Sequence, residues 1–199
     1  MQYSPFNKAL KDVQPDELSI LRDVSEGWYV EYKSQIVRQN VLAKTISSFA
    51  NQHGGWLILG IIEDRTTHVA GTFPGIPNNQ VQGGLESLRN ASKDTVHPSV
   101  FFEHRIFEGP IDAIGLAENR SLIVVQIPQG PSTPYVHNDG RIYRRIADSS
   151  NPKPETDRAT LDLLFQRGVQ SRSRLEEYIT RNPAVSQAED RIPYLHLFI

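Results

Sequence analysis

There is no cysteine in the 199 residues. Disulfides, thiolate metal sites and cysteine nucleophiles are thereby excluded, and a reducing, cytoplasmic setting is the expectation that agrees with this. No apolar run approaches the length that spans a bilayer, so no membrane partner is expected. The N-terminal MQYSPFNKAL does not have the charged-then-apolar layout of a signal peptide. An excess of one charge is missing too: 21 Lys and Arg against 23 Asp and Glu leave a net charge of −2. A protein that grips nucleic acid over its whole surface is strongly basic, so a phosphate-binding surface here must be a local patch. Three motifs are also absent. Without two glycines followed by Lys and Ser/Thr there is no P-loop, and no organic cofactor is expected. Without G-x-S-x-G there is no support for acyl-transfer hydrolysis. The six dispersed histidines form no H-E-x-x-H spacing. No internal repeat or low-complexity tract is visible.

What is present is ordered around VLAKTISSFANQHGGWLILGIIED, residues 41–64. Val41, Leu42, Ile46, Phe49 and Ala50 recur at helical spacing, and Asn51 with Gly54-Gly55 ends that helix. Trp56 to Ile62 carries no polar residue and reads as a strand covered on both faces, with Glu63 and Asp64 at its exit. Upstream, Pro15 to Leu21 reads as a helix burying Leu18, Ile20 and Leu21, and Trp28 to Lys33 as an alternating strand. Downstream, Val81, Leu85 and Leu88 mark a helix ending near Ala91 or Ser92. Val100 to Phe107 and Leu122 to Ile127 are strands. Asp139-Gly140 turns a hairpin between residues 135–137 and 141–144, and Asp148 to Lys153 is a polar loop. Leu161, Leu164 and Phe165 form a helical stripe for which Gly168 is a stop, and Ser173 with Glu176 resembles a capping box. The expectation is an α+β lobe, a mixed sheet flanked by helices, over residues 1–150. A C-terminal helical extension follows over 151–181, and 182–199 is a linker or the start of a further region.

The residues able to do chemistry are few. On a strand, Glu31 and Lys33 share a face about 6.5–7 Å apart. A carboxylate there can ligate a hard cation while an ammonium holds a phosphate oxygen; an exposed strand face with a weak ion pair is the plainer alternative. Glu26 precedes that strand and Asp64 leaves the apolar one. If the strands are neighbours, the three acids can converge on Mg²⁺ or Mn²⁺, and all-oxygen ligation disfavours zinc. His53, beside Gly54-Gly55, is placed to donate to a phosphate or to remain an exposed cap. Arg141, Arg144 and Arg145 with Tyr143 between them suit phosphate and base contacts, or else a charged, protected edge strand.

In this order, Glu26-x4-Glu31-Tyr32-Lys33, then Phe49-Ala50-Asn51-x-x-Gly54-Gly55, then an apolar strand with Gly60 and Glu63-Asp64, the chain resembles the Schlafen AlbA-like domain family. That family's pattern runs E-x(4)-E-F-K, A-F-A-N-T-x-G-G and I-G-V followed by acids. Pro134-Tyr135 and Ile142-Tyr143-Arg144-Arg145 are similar to its later P-Y and Y-Y-x-R stretches, so the likeness covers about residues 15–165. The resemblance implies an α+β fold with nucleic-acid association. In animal Schlafen proteins two such lobes form a clamp that cuts transfer and ribosomal RNA with three carboxylates and a divalent metal. By position these fall on Glu26, Glu31 and Asp64, with Lys33 neutralising charge. Bacterial members are described as DNA-binding or ATP-binding regulators, many in phage-defence contexts. Tyr32 replaces the usual Phe, and Gln52-His53 the usual Thr-x. Ile62 stands at a position that is commonly polar, which leaves the register open between Asp64 and Glu63. One lobe alone implies a homodimer for a clamp. The expected function is therefore a metal-dependent endoribonuclease acting on structured RNA, with DNA a possible substrate. The alternatives are a non-catalytic nucleic-acid-binding module and a nucleotide-sensing domain.

Overall fold

A computed structural model of the chain describes residues 3–146 and 149–181. Its centre is β2 (Gly55–Leu59), whose five residues are all buried. On one side of it runs β1 (Val30–Lys33), parallel, with Glu31 beside Leu57 and Lys33 beside Leu59. On the other side lies β8 (Arg120–Ile127), antiparallel. The far edge of β8 pairs with β7 (Glu103–Glu108). Past Leu59, β5 (Ile76–Pro77) pairs with β8 at Ser121 and Arg120. One parallel pair among antiparallel neighbours makes the sheet mixed, and the fold is α+β as expected.

Each face of the sheet has its own core, which is why β2 and the Leu122–Val125 stretch of β8 do not alternate and are apolar. Helix α1 (Gln39–Asn51) and helix α2 (Asn78–Asp94) cover one face through Leu42, Ile46, Phe49, Leu85 and Leu88, packed on Leu57, Leu59, Ile123 and Val125. The N-terminal 3-10 turns and residues 111–116 cover the other, against Trp56, Ile58, Leu122 and Val124. Residues Pro15–Asp23 are a 3-10 rather than an α-helix; Leu18 and Leu21 are buried and Ile20 is exposed. The apolar run breaks earlier than its composition suggests. Gly60 has φ +104, which a side chain resists, and the chain restarts as β3 (Ile62–Glu63), paired with β4 (Ala70–Thr72). Ile62, half of that short strand, is exposed.

The second half departs further from expectation. Asp139-Gly140 does turn the chain, with Gly140 N–H donating to His137 O at 2.8 Å and φ +80. The hairpin ladder is reduced to the bridge between Val136 and Ile142. Instead β9 (Val136–His137) pairs with β6 (Val96–His97). Likewise β10 (Tyr143–Ile146) pairs with β11 (Ser149–Pro154), so the expected polar loop is largely strand. Helix α3 (Arg158–Arg181) runs through Gly168 without stopping. Its one buried apolar side chain is Leu164. Glycine is needed there because a Cβ would collide with the Thr133 carbonyl oxygen. The segment 182–199, read as a linker, lies outside the described residues. Among the described residues no helix is long and apolar enough to cross a membrane.

Candidate functional site

The outer edge of β1 brings two of the acids, Glu26 and Glu63, face to face. Glu26 folds back along that edge, and its Oε1 accepts a hydrogen bond from the Tyr32 amide. Its own amide donates to His68 O at 2.8 Å, which ties it to the β3–β4 hairpin. Glu63, on β3, faces Glu26 closely enough to share a hydrogen bond with it. Burial, then the neighbouring Glu63 and Glu31 carboxylates, push Glu26 up to about 8, against the Tyr32 amide, which pulls it down. Glu63 Oε2 is buried without a hydrogen-bond partner and has His68 Nδ1 at a loose 3.5 Å.

Glu31 points to the α1 face of the sheet and is 1% exposed. One carboxylate oxygen accepts from Arg145 Nη1; the other meets Lys33 Nζ at 2.7 Å and lies 3.5 Å from Thr45 Oγ1. Arg145 is equally buried, donates to Gly27 O at 2.6 Å and Val30 O at 3.3 Å, and lies 4.5 Å over the Phe49 ring. Neither is a surface group. Lys33, with 22% of its side chain exposed, is the member of this trio that reaches solvent.

Asp64 stands outside the group. Its Oδ1 accepts from Thr66 N at 2.9 Å, Thr67 N at 2.8 Å and Thr67 Oγ1 at 2.9 Å, and these bonds hold its carboxyl below the usual range. The sequence Asp64-Arg65-Thr66-Thr67 is an Asx-turn opening, and that is the signal able to separate Asp64 from Glu63.

The structure also disperses the basic cluster. Arg141 is exposed on the turn. Tyr143 is 2% exposed, with its hydroxyl on Asp139 at 2.7 Å and Lys44 4.9 Å above its ring, so it offers no face to a base. Arg144 pairs with Glu155 and donates to Gln52 Oε1 at 3.3 Å. Arg145, a core residue, is unable to reach a phosphate. His53 is exposed beside the α1–β2 turn, next to a cavity of about 420 Å³ lined by Gln52, Arg144, Leu164 and Arg167. Arg167 was not signalled by sequence. It donates to Ala50 O, Asn51 O and Gln52 O at 3.2, 2.8 and 3.0 Å, closing the carbonyl end of α1 from a helix over a hundred residues away.

The donor set fits a hard divalent cation in kind: two facing carboxylates, no soft ligand, and one buried oxygen without a partner. It supplies two ligands and not three. Among the described residues no group of three or more His, Cys, Asp or Glu side chains is disposed to hold a metal ion, since Glu31 is turned to its cations. Two carboxylates with water and phosphate oxygens are the usual complement for Mg²⁺.

The family model described as Schlafen, AlbA_2 matches residues 26–154, from Glu26 to the end of β11. No curated protein matches the chain. Two solved structures are similar at 20% identity. The DIP2311 protein from Corynebacterium diphtheriae has a TM-score of 0.42 over 70% of this chain, which spans 24% of that one. The N-terminal domain of an ATP-dependent DNA helicase RecG-related protein from Nitrosomonas europaea has a TM-score of 0.48 over 73% of this chain and 96% of that one.

Proposed function

The chain belongs to the Schlafen AlbA_2 family, and from that premise we propose a nucleic-acid-acting domain that hydrolyses phosphodiesters at the Glu26–Glu63 pair. The observation that carries this reading is the pair itself. Glu26 and Glu63 face each other at hydrogen-bonding range, with a third carboxylate near and a buried Glu63 oxygen left over. A stable core has no use for that arrangement, whereas a cation-dependent site does. Mg²⁺ or Mn²⁺, when bound, supplies charge neutralisation and a more acidic water.

The chain's own groups do the rest. Glu26 and Glu63 would hold the cation, and Glu26, which burial keeps protonated, would give up that one proton on loading, taking the pair from one negative charge to two. Lys33 holds a phosphate oxygen and offsets the charge that builds up on phosphorus. Glu31 positions Lys33 through the 2.7 Å contact, and Arg145 in turn fixes Glu31. Arg141, exposed at its turn, and Arg144 beside the cavity orient the backbone without reading sequence. Structured RNA such as tRNA is the favoured substrate, DNA the other. A single lobe would clamp it as a homodimer, and phage defence is a setting that suits such a cut.

A second reading, a non-catalytic nucleic-acid-binding module, is favoured by one observation: Glu31 is already committed to Arg145. Cleavage of labelled tRNA, rRNA and single-stranded DNA with Mn²⁺ or EDTA separates the two. On the hydrolytic reading Glu26→Gln and Glu63→Gln lose activity on the order of a hundredfold, while Asp64→Asn stays near wild type. Salt-sensitive binding without metal-dependent cleavage supports the module. Neither binding nor cleavage removes both.

A further inference from the structure

We infer that Trp28 and His53, backed by Tyr29 and Tyr3, form a stacking site for an unpaired nucleobase. This rests on the nucleic-acid reading above and adds the part of the substrate that is recognised. The chain has two tryptophans and uses them oppositely. Trp56 is fully buried, its indole N–H donating to Tyr3 O at 3.0 Å. Trp28, two residues past Glu26, is 36% exposed. Burying it completely would remove a large apolar surface from water, yet the fold leaves more than a third of it accessible.

The local geometry gathers rings around it. The Trp56 amide donates to Tyr29 O at 2.7 Å, clamping the 27–29 loop across the α1–β2 turn. Gly54, at φ +75 and with its amide on Phe49 O at 2.9 Å, ends α1 so that His53 stays on the surface. The His53 ring then lies 6.4 Å from Trp28 at 57° and 6.0 Å from Tyr29 at 40°. Tyr3, 39% exposed, stacks on Tyr29 at 4.8 Å and 27°. Four π-faced side chains from three separate segments thus adjoin on one surface. Beside His53 opens the cavity that Arg144 and Arg167 help line, which leaves room for the nucleotide next to the stacked base. A base on this platform lies next to the loop that carries Glu26. Duplex bases have no free face to offer it, so the site selects single strands.

Intrinsic fluorescence of the full chain tests this, because Trp28 is the one tryptophan a ligand can reach and Trp56 gives a constant background. Oligo(U) and oligo(dT) of roughly twelve nucleotides, and a duplex of equal length, are titrated at several salt concentrations. Both single strands should quench Trp28, and the duplex should not. Trp28→Ala should weaken single-strand binding about tenfold with an unchanged salt slope. Trp28→Phe, which keeps a ring, should restore affinity to within about threefold. Binding without quenching, undiminished in Trp28→Ala, overturns the stacking site and leaves the nucleic-acid reading standing. Failure of every oligonucleotide to bind at low salt overturns both.

Discussion

Glu31 spends both carboxylate oxygens on cations, whereas Glu26, five positions earlier, has a backbone amide and another carboxylate for neighbours. That difference divides structure from chemistry, and each half is testable. Removing one partner of a buried ion pair strands the other charge, so Arg145→Ala should cost about 3–5 kcal/mol in denaturant unfolding. Burial holds Glu26 neutral in the folded state, up to about 8. Its stabilising contribution is therefore complete below the unfolded value of about 4.3 and is lost as pH rises through the folded one. The wild-type melting temperature should fall across that window by a few degrees more than that of Glu26→Gln. Saturating Mn²⁺ should raise it and flatten the slope. Glu31 and Lys33 could be paired from their strand spacing, beside the plainer alternative of an exposed ion pair, and Glu26 could be added from its place before that strand and from the family resemblance. Their division of labour could not be read, because it is set by Arg145, which lies 114 positions from Glu31 and leaves no local trace.

Helix α3 shows what a single element hides from a periodicity argument. Gly168 reads as a stop, yet the helix continues through it because the Thr133 carbonyl needs the room. Alanine in an exposed helix interior normally stabilises by about 1 kcal/mol relative to glycine. Gly168→Ala should do the reverse, lowering stability by about 1–3 kcal/mol in the same unfolding measurement. The α1–β2 unit, by contrast, was legible up to Leu59, since a helical stripe, a Gly-Gly exit and an apolar strand all act within neighbouring residues, and only the break at Gly60 was missed. The β10–β11 pairing was not legible. Asp139-Gly140 is a strong local turn signal, and β9 is nevertheless drawn to β6, some forty positions away. The long-range ladder wins over the short hairpin.

For the whole molecule, two cores pin β1 from both faces while its outer edge pairs with no further strand among the described residues, and the loop that enters that edge carries Glu26, facing Glu63, and Trp28, beside the His53 ring. A net charge of −2 gives the chain no overall attraction for phosphate, so on this reading recognition is concentrated at such a place. The most direct test is calorimetric titration of Mn²⁺ into the protein at about pH 7 in buffers of differing ionisation heat. The pair should take up the cation and release about one proton as Glu26 ionises. Both signals should vanish in Glu63→Gln and persist in Asp64→Asn. Uptake without proton release, or uptake that survives Glu63→Gln and is lost in Asp64→Asn, would contradict the account.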